Sequence, residues 1–566
     1  MLAKFIAFLS EFMRLLLINP KAPESFWNFR WGIQAILPHK RAVNPPLGLA
    51  TRAALCPPHW QVTIVDENIE SLPLAAAADL IGIAGMGVQF ARQSELLRYY
   101  RGRGYPVVAG GSFASLCPER YSDLADTIIC GEAEYIWPRF CRDFERQQAL
   151  PLYRGTGTVD LNHSPVPRFD LLKLKMYTTA TLQFSRGCPY LCEFCDIIVM
   201  FGRRPRHKAP EQIGRELDRL RESGIRNVFF VNDNLIGNRP KAEDLLRFLI
   251  DYQTRRRYAF GFGTEASLNL AKDPELMSLL REANFSWVFI GIESSDEKSL
   301  RETRKLQNLG EHPLDAVRRI YSYGIDVLAG FIVGYKRLYN RLLTDAAIAR
   351  RIINKHRFLR RPAYRAQYGL IAGTRIVARL LGRGVFPGGP WIYHFARSLP
   401  WRAPRNIPLA IADWITSLSL RDYVQRHFGD LALAPPPTWH ARLARLTTAI
   451  AQYAGEAKLA LSQQIDGTGA PVLTLSLNAW RNERLFARVS RQLCALLVDT
   501  PSRLKLRIEA IGRADLPHVR RLLRQLAKFG DRVSIEIDET FHDLIALEVW
   551  GFELALPRAP NAYRSE

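Results

Sequence analysis

Three cysteines lie close together in the chain, at Cys188, Cys192 and Cys195, within the sequence SRGCPYLCEFC that begins at Ser185. Thiolate sulfur is the usual protein ligand of iron–sulfur clusters. Three thiolates on one short loop can hold three irons of a 4Fe–4S cube and leave the fourth iron without a protein ligand. The C-x3-C-x2-C spacing therefore predicts a cluster whose open iron binds a small chelating substrate or cofactor.

Two other interpretations of this loop stay open on the residues alone. A structural zinc site would normally use four protein ligands, and His207 is the nearby candidate for the fourth. The other interpretation is chance clustering of buried cysteines. A disulfide scaffold is excluded, because eight cysteines among 566 residues are too sparse for one.

The cysteine loop directly follows the first strand of a repeated strand-and-helix pattern that runs from about residue 178 to 335. Five such units in this length of chain predict a partial (β/α) barrel, whose chemistry lies at the carboxyl ends of its strands. The predicted strands are Thr181–Ser185, Asn227–Asn232, Tyr258–Gly263, Trp287–Ile292 and Val327–Val333.

The same pattern occupies about residues 13 to 150, ahead of a connector from Tyr153 to Pro167. It predicts a parallel sheet with crossover helices, in which ligands bind beyond the carboxyl ends of the strands. The glycines at those ends either let a ligand approach the backbone or simply make tight turns. The predicted strands are Arg14–Asn19, Gln61–Val65, Leu80–Ala84, Tyr105–Ala109 and Thr127–Cys130. The residues at their carboxyl ends are Asp66, Gly85–Gly87, Gly110–Ser112 and Gly131–Glu132.

The charge of the chain is strongly positive. Lys and Arg number 78 and Asp and Glu 55, which gives a net charge of +23 and indicates an anionic partner such as a lipid surface or a nucleic acid. Residues 336–405 contain sixteen Lys or Arg and one acid, Asp345, so this segment holds +15 of the excess. Aromatic residues are interleaved with the arginines, but no recognised nucleic-acid module accompanies them.

One helix of the basic segment, from Asp345 to Leu359, has an amphipathic pattern. It is typical of an interfacial helix on an anionic membrane, and equally of an ordinary docked helix with a solvated basic face. The predicted apolar face is formed by Ile348, Ile352, Ile353 and Leu359. The predicted basic face is formed by Arg350, Arg351, Lys355 and Arg357.

The two ends of the chain carry no chemical signature. Residues from about 438 to 566, after a proline-rich linker at 434–437, read as a small α/β module.

The opening sequence MLAKFIAFLSEFMRLLLINP contains Lys4, Glu11 and Arg14 and lacks a small-residue cleavage site, so we expect no secretory leader. No apolar run reaches the roughly 20 residues of a transmembrane helix. We therefore expect a cytoplasmic protein that rests on the inner face of the membrane without crossing it.

The cysteine loop, with Phe194 as its aromatic residue, resembles the signature of radical S-adenosylmethionine (SAM) enzymes. The flanking sequences GCPYLCEFCDI and FGRRPRHKAPEQIGREL are similar to the subgroup that carries an amino-terminal cobalamin-binding domain, which includes enzymes that methylate hopanoid lipids. The resemblance covers about residues 14 to 430, and the cysteine loop is its most specific part.

The resemblance implies a mechanism and a set of site residues. In the family the open iron chelates the amino and carboxylate groups of SAM, and reductive cleavage yields a 5'-deoxyadenosyl radical that abstracts hydrogen from an unreactive carbon. Cys188, Cys192 and Cys195 would be the cluster ligands, and Phe194 would pack near the adenine. No residue is assigned as a catalytic acid or base. Polar contacts to the amine, ribose and adenine would come from Asn232, Asp233, Asn234, Glu265, Glu293, Gly330 and Gly334. Each polar side chain could instead be a helix cap or the partner of a basic residue.

The amino-terminal block similarly resembles the family's cobalamin domain, most clearly in VVAGGSFAS (Val107–Ser115) and IICGEAEYIW (Ile128–Trp137). The resemblance implies that Gly110, Gly111 and Ser112 contact cobalamin. The Asp-x-His-x-x-Gly motif that supplies a lower axial histidine to cobalt in many cobalamin proteins is absent from the sequence. A vestigial domain that binds nothing is the alternative.

Together these patterns predict an α/β fold class with four parts: a Rossmann-like cobalamin-binding domain at 13–150, a partial radical SAM barrel at 170–335, a basic, aromatic-rich helical segment at 336–432 and a small α/β module at 438–566. The predicted function is that of a radical SAM methyltransferase with 4Fe–4S, SAM and cobalamin cofactors, acting on a small-molecule substrate of lipid or isoprenoid type. Its electron donor would be a protein such as flavodoxin or ferredoxin.

Two rival functions stay open. The first is a cobalamin-independent radical SAM enzyme that rearranges bonds. The second is an inactive scaffold that binds lipid or nucleic acid. The second arises because the sequence GFIVG, which ends at Gly334, is followed at once by YKRLY, where related enzymes continue into a sixth barrel strand.

Overall fold

The computed structural model describes residues 12–25, 28–37, 39–155, 157–331, 344–358, 370–382, 391–428, 443–450, 459–465, 471–477, 483–499, 503–508, 516–537 and 553–555. The chain forms two compact units. The first unit comprises Met1–Ile69, Ala78–Ser94 and Pro106–Tyr423. The second comprises Glu70–Ala77, Glu95–Tyr105 and Val424–Glu566.

The first sheet of the first unit has six parallel strands in the order β2-β1-β3-β4-β5-β6. The chain order reverses between β1 and β3, which is the position where open α/β sheets bind ligands. The strands are β1 (Arg14–Asn19), β2 (Gln61–Asp66), β3 (Leu80–Ala84), β4 (Val107–Gly110), β5 (Thr127–Cys130) and β6 (Leu152–Arg154). The helices between them are α1 (Leu47–Ala54), α2 (Phe90–Arg101), α3 (Ser112–Leu116) and α4 (Ala133–Glu145).

The five strands predicted for this block are present, with two differences. Strand β4 begins at Val107 rather than Tyr105, and Pro106 just before it has no N–H to donate to a ladder. Strand β6 was missed, because it has three residues and lies within the segment predicted as a connector. The mixed α/β fold class is confirmed.

The second sheet of the first unit has five parallel strands among the described residues, in the order β7-β10-β11-β12-β13. A separate antiparallel ribbon, β8 with β9, lies between the first two of them in sequence. These strands are β7 (Ala180–Leu182), β8 (Ser185–Arg186), β9 (Arg206–His207), β10 (Asn227–Phe230), β11 (Gly261–Ala266), β12 (Phe285–Glu293) and β13 (Asp326–Phe331). The predicted departure from the family after β13, together with Gly334, falls in residues 332–343, outside the described residues.

Helices alternate with these strands, as predicted. Three of them begin with a proline at the first helical position, where its missing N–H costs nothing. Burial of a leucine from α7 against the sheet contributes about 1.5–3 kcal/mol, and Leu245, Leu246 and Leu249 are each fully buried. The helices are α5 (Ile197–Phe201), α6 (Pro210–Glu222), α7 (Arg239–Arg255), α8 (Pro274–Glu282), α9 (Glu297–Glu302) and α10 (Pro313–Ser322).

The boundaries of all five strands differ by one to three residues from those predicted, and two of the differences have a clear local cause. The segment expected as Thr181–Ser185 divides into β7 and the ribbon strand β8. Strand β11 begins three residues after the expected Tyr258, because Arg257 and Tyr258 both adopt left-handed backbone, with φ of 52° and 55°. Such a pair of residues forms a turn and cannot continue a strand.

Four helices follow the second sheet: α11 (Asp345–Phe358), α12 (Leu370–Leu380), α13 (Trp391–Ser398) and α14 (Ile407–Phe428). They pack around the fully buried Trp414, and Ile348 and Ile352 of α11 belong to this core. The docked-helix interpretation therefore describes α11, whose apolar face is occupied by protein. Lys355, predicted on the basic face, is instead buried between Asp326 and Asp413, with Nζ–Oδ distances of 2.5 and 2.8 Å. Leu359 lies outside the described residues.

The second unit contains a five-stranded sheet in the order β14-β15-β16-β17-β18, in which only the first pair is antiparallel. Alternating apolar residues predict strands in this tail at Leu473–Leu477, Leu504–Ala510 and Val533–Ile537. These correspond to β15, β16 and β17, whereas β14 and β18 were missed. The elements are β14 (Leu459–Ile465), β15 (Pro471–Leu477), α15 (Glu483–Asp499), β16 (Arg503–Ile508), α16 (Leu516–Leu526), β17 (Val533–Ile537) and β18 (Glu553–Ala555). Among the helices described, none is both long and apolar enough to cross a bilayer.

Candidate functional site

The ribbon formed by β8 and β9 closes the base of the cysteine loop. Ser185 pairs with His207 and Arg186 with Arg206, so the chain between the two strands projects as one loop. Gly187 begins that loop with φ of 93°, and a Cβ there would lie 3.0 Å from the carbonyl oxygen of Gly202. A side chain would therefore be strained at this position and would crowd the returning backbone.

The three thiols of the loop are free, with Cys192 buried and Cys188 and Cys195 half-buried. Burial raises the pKa of the Cys188 and Cys195 thiols, and the neighbouring Cys192 raises both pKa values further. Gln307 Nε2 donates to Cys192 Sγ over 3.3 Å. Three sulfur donors on one loop, with an amide donating to one of them, fit the ligand set of an iron–sulfur cluster.

Within the described ranges, no three or more His, Cys, Asp or Glu side chains are gathered closely enough to hold one metal ion. The His207 ring packs 5.2 Å from the Phe184 ring, and burial lowers its pKa to about 4. A four-iron cube takes each thiolate on a different iron, so its ligands need not converge on one point.

The residues at the carboxyl end of β10 hold the entrance of the loop. Asn232 Oδ1 accepts hydrogen bonds from the backbone N–H groups of Phe184 and Ser185, each at 2.9 Å. Asp233 Oδ2 accepts from Gly187 N–H at 2.6 Å, and burial raises the Asp233 pKa to about 6. Two of the residues predicted to contact SAM therefore position the loop that carries the cysteines.

Two other residues at the ends of strands have polar side-chain atoms that are available to a ligand. Asn234 donates from Nδ2 to Ser267 Oγ over 3.0 Å, while its buried Oδ1 has no partner in the described structure. Glu265, at the carboxyl end of β11, is half-buried, and burial raises its pKa to about 8, with a smaller contribution from Asp233. Buried groups of this kind, grouped at one sheet edge, are typical of ligand sites.

The predicted contacts from Glu293 and Phe194 involve a basic residue that the sequence did not reveal. Glu293 forms an ion pair with Lys305, with Oε1 and Nζ 3.2 Å apart, which is the alternative that the sequence left open. The same ammonium lies 5.5 Å from the centre of the Phe194 ring. Lys305 and Gln307 follow α9, where no strand-end pattern marks them.

Gly330 lies in β13, opposite Gly291 of β12. A Cβ at Gly330 would lie 3.0 Å from Cζ of Phe289. A Cβ at Gly291 would lie 2.2 Å from Oε1 of Glu293, so side chains pack closely over both glycines.

The carboxyl edge of the first sheet is formed by close backbone contact between β3 and β4. Gly111 has φ of 105°, and a Cβ there would lie 2.2 Å from the Gly85 carbonyl oxygen. A Cβ at Gly110 would lie 3.0 Å from the buried guanidinium of Arg52. Ser112 begins the short helix α3, and Met86 beyond β3 is exposed. The glycines therefore make tight turns and leave a backbone surface at this edge.

A buried ionic network joins this edge to the cysteine loop. Arg186 lies 2.7 Å from both Glu132 and Glu134, which follow β5. Arg206 of β9 lies 2.9 Å from Glu132, and Ser164 Oγ donates to Glu134 over 3.1 Å. Sequence reasoning noted Glu132 as a strand end but missed both arginines, because their partners are 50 or more residues away in sequence.

Residues 182–341, which include the cysteine loop, match the Radical SAM superfamily. The chain contains a radical SAM domain. This confirms the predicted resemblance and implies a 4Fe–4S cluster and SAM as the cofactors of that domain.

Two curated relatives extend the similarity beyond the domain. The chain is 41% identical over 327 residues to the uncharacterized methyltransferase sll1242 of Synechocystis, covering 57% of this chain and 61% of the relative. It is 38% identical over 328 residues to the hopanoid C-2 methylase of Rhodopseudomonas palustris, covering 57% of this chain and 62% of that enzyme. The chain therefore spans about three fifths of the length of these relatives.

Among solved structures, the cobalamin-dependent S-adenosylmethionine radical enzyme OxsB with aqua-cobalamin bound aligns with 93% of this chain and 85% of its own at 15% sequence identity, with a TM-score of 0.48.

Proposed function

We propose that this chain is a radical SAM methyltransferase that modifies an unactivated carbon of a lipid or isoprenoid-like substrate and uses cobalamin as its methyl carrier. The observation that carries the proposal is the loop of three thiols at the carboxyl edge of a partial barrel, within the segment that matches the radical SAM superfamily. When bound, the cluster supplies an electron for cleavage of SAM, and cobalamin supplies the methyl group.

The chain's own residues divide this work. Cys188, Cys192 and Cys195 would hold the cluster, while Asn232 and Asp233 fix the backbone at the start of their loop. This support keeps the thiols in place without occupying the open iron.

The second sheet provides the groups for SAM itself. Asn234 Oδ1 is a buried acceptor without a partner in the described structure, and it suits an ammonium group. The half-buried carboxyl of Glu265 suits a hydroxyl or amine. Phe194 is 45% exposed at the rim and offers its face to a planar base.

Cobalamin fits the first sheet by a different argument. Its β1/β3 switch point is the usual ligand position in such sheets, and the Gly111 backbone packs so closely on that of Gly85 that no side chain fits between the two strand ends. Met86 and Val88, both exposed after β3, add apolar area. The Arg186 network holds this edge against the cysteine loop, so two cofactors bound at the two edges would be neighbours.

The class of substrate follows from the relatives and from charge. A relative 38% identical to this chain methylates a hopanoid, which is an apolar lipid. An apolar substrate has to leave a bilayer to reach the barrel, and the net charge of +23 favours an anionic surface. We therefore extend the proposal to peripheral association with the membrane.

Anaerobic reconstitution of the full chain tests the proposal. We expect about four irons per chain, the absorbance of an iron–sulfur cluster, and 5'-deoxyadenosine on addition of SAM and a reductant. All three should be lost in the C188A/C192A/C195A variant and kept in the matched control C494A, whose cysteine is also half-buried. Iron and SAM cleavage that persist in the triple variant would contradict the proposal.

Cobalt content and product analysis separate the rival functions. Stoichiometric cobalt and a methylated product support the methyltransferase. SAM cleavage with no bound cobalt supports a cobalamin-independent radical enzyme, and a cluster that never cleaves SAM supports an inactive scaffold.

A further inference from the structure

The outer face of α13 exposes large apolar and aromatic side chains. Ile392 is 50% exposed, Tyr393 61% and Trp401, just after the helix, 63%. The opposite face is fixed to the protein, because Phe395 is buried with its ring 5.7 Å from that of Trp414. Exposed side chains of this size on a rigidly packed helix mark an interaction surface.

Local contacts hold these side chains in their exposed positions. Arg397 Nη1 donates to the Tyr393 hydroxyl over 3.2 Å. Trp401 Nε1 donates to the carbonyl oxygen of Ala396 over 2.7 Å, which satisfies the polar edge of the indole. Because the indole N–H already has its acceptor, the apolar face of Trp401 can enter an apolar environment.

The charge around these side chains has one sign. Arg397, Arg402 and Arg405 are all exposed, and the sequence from 391 to 412 contains no Asp or Glu. The next acid, Asp413, is committed to Lys355 at 2.8 Å. We call the set Ile392, Tyr393, Arg397, Trp401, Arg402 and Arg405 the aromatic–basic surface.

This combination fits the boundary of a lipid bilayer. Tryptophan and tyrosine favour the headgroup level, where their rings lie among acyl chains and their polar edges stay wet. Arginines beside them attract anionic headgroups. Single-stranded nucleic acid would require a groove with successive stacking platforms, whereas Tyr393 is engaged by the Arg397 guanidinium 5.9 Å from its ring.

We infer that the aromatic–basic surface docks the chain on a bilayer that contains anionic phospholipid. The inference deepens the proposed function, since it names the face at which a lipid substrate would be met. Binding to vesicles requires neither the cluster nor SAM, so its failure is distinguishable from failure of the methyltransferase proposal.

Vesicle flotation with the full chain tests the inference. We expect binding to phosphatidylglycerol/phosphatidylcholine vesicles, weaker binding as salt is raised, and little binding to phosphatidylcholine alone. The variants I392S/Y393S/W401S and R397Q/R402Q/R405Q should each lower the partition coefficient roughly tenfold or more. Circular dichroism, and 5'-deoxyadenosine formation in the absence of vesicles, should be unchanged in both.

Matched controls separate the surface from general charge and apolarity. The variant R219Q/R247Q/R255Q removes the same charge from arginines that are 59–68% exposed elsewhere, and L314S removes an exposed leucine of α10. Both should bind vesicles like the original chain. If the charge control lowers binding as much as R397Q/R402Q/R405Q, the inference is overturned.

Fluorescence gives a second measurement with a mild variant. Brominated phosphatidylglycerol should quench tryptophan emission in the original chain and much less in W401F. Equal quenching in both would overturn the inference. A second result would also overturn the inference: the variants of the aromatic–basic surface bind vesicles normally but no longer bind a single-stranded oligonucleotide in an anisotropy assay.

Discussion

The carboxyl edges of the first and second sheets are ligand positions by the same topological rule, yet they are built from opposite kinds of residue. At the first edge, Gly85 and Gly111 bring backbone against backbone. At the second, the side chains of Asn232, Asp233 and Asn234 follow one strand, and the first two are used to hold a loop. We therefore expect the first edge to bind a ligand with a large flat face. We expect the second edge to bind a small molecule through individual polar side chains.

The largest expected effect comes from breaking the link between the two edges. Arg186→Met leaves Glu132 and Glu134 buried with one cation fewer, so we expect the free energy of unfolding to fall by about 3–5 kcal/mol. Urea denaturation measures this. The control Arg168→Met removes an exposed pair with Asp170 and should cost less than about 1 kcal/mol. Similar losses in both variants would show that the network is not a special link.

A smaller effect is expected at the glycine edge. Gly111→Ala places a Cβ against the Gly85 carbonyl oxygen at a left-handed position, and we expect a loss of about 2–3 kcal/mol in unfolding free energy, together with weaker cobalamin binding. Gly104→Ala is the control, because Gly104 also has positive φ but no atom within 4 Å of the added Cβ. It should cost about 1 kcal/mol. Equal costs would mean that backbone contact does not shape this edge.

Two nearby asparagines at the carboxyl edge of the second sheet are expected to have different roles, one in holding the cysteine loop and the other in binding SAM. Asn232→Ala orphans two buried N–H groups, so we expect a loss of about 1–3 kcal/mol and poorer iron retention after reconstitution. Asn234→Ala should leave iron retention unchanged and weaken SAM binding roughly tenfold, the effect of about 1.4 kcal/mol. Iron analysis and SAM titration measure the two effects, and a reversed pattern would refute this division of roles.

The last comparison concerns Glu265 and pH. Its folded-state pKa of about 8 lies above the ordinary value, so the folded apo-protein binds a proton that the unfolded chain releases near pH 4.5. The contribution of Glu265 to stability should therefore fall as pH rises from about 4.5 to 8. Glu265→Gln should gain up to a few kcal/mol relative to the original chain at pH 9 compared with pH 5, because each unit of pKa shift corresponds to about 1.4 kcal/mol. A pH-independent difference in urea denaturation would contradict this.

The sequence predicted well the features that depend on local pattern. Buried strands, the cysteine spacing and the polar strand ends are all local, and the parallel direction of the strands in both sheets follows from their alternation with helices. The three-residue strand β6 and the exact start of β11 escaped prediction, because one is too short for a periodicity and the other depends on two left-handed residues.

The roles of individual site residues depended on distant partners. Asn232 and Asn234 are chemically identical and two residues apart, but one reaches back to β8 and the other across to Ser267. Arg186, Arg206, Lys305 and Gln307 acquire their roles only through tertiary contacts. The amphipathic pattern of α11 was compatible with either lipid or protein against its apolar face. In the structure that face packs in a core with Trp414. The SAM and cobalamin contacts themselves stay predictions.

Lys355 has a mechanical consequence. One ammonium from α11 satisfies a carboxylate at the start of β13 and another on α14. If α14 tilted away from the sheet, the buried ammonium of Lys355 would lose one of its two carboxylate partners. We therefore expect β13, α11 and α14 to shift together. Displacement of these helices at a surface would therefore be felt at β13, because Lys355 of α11 bonds to both β13 and α14.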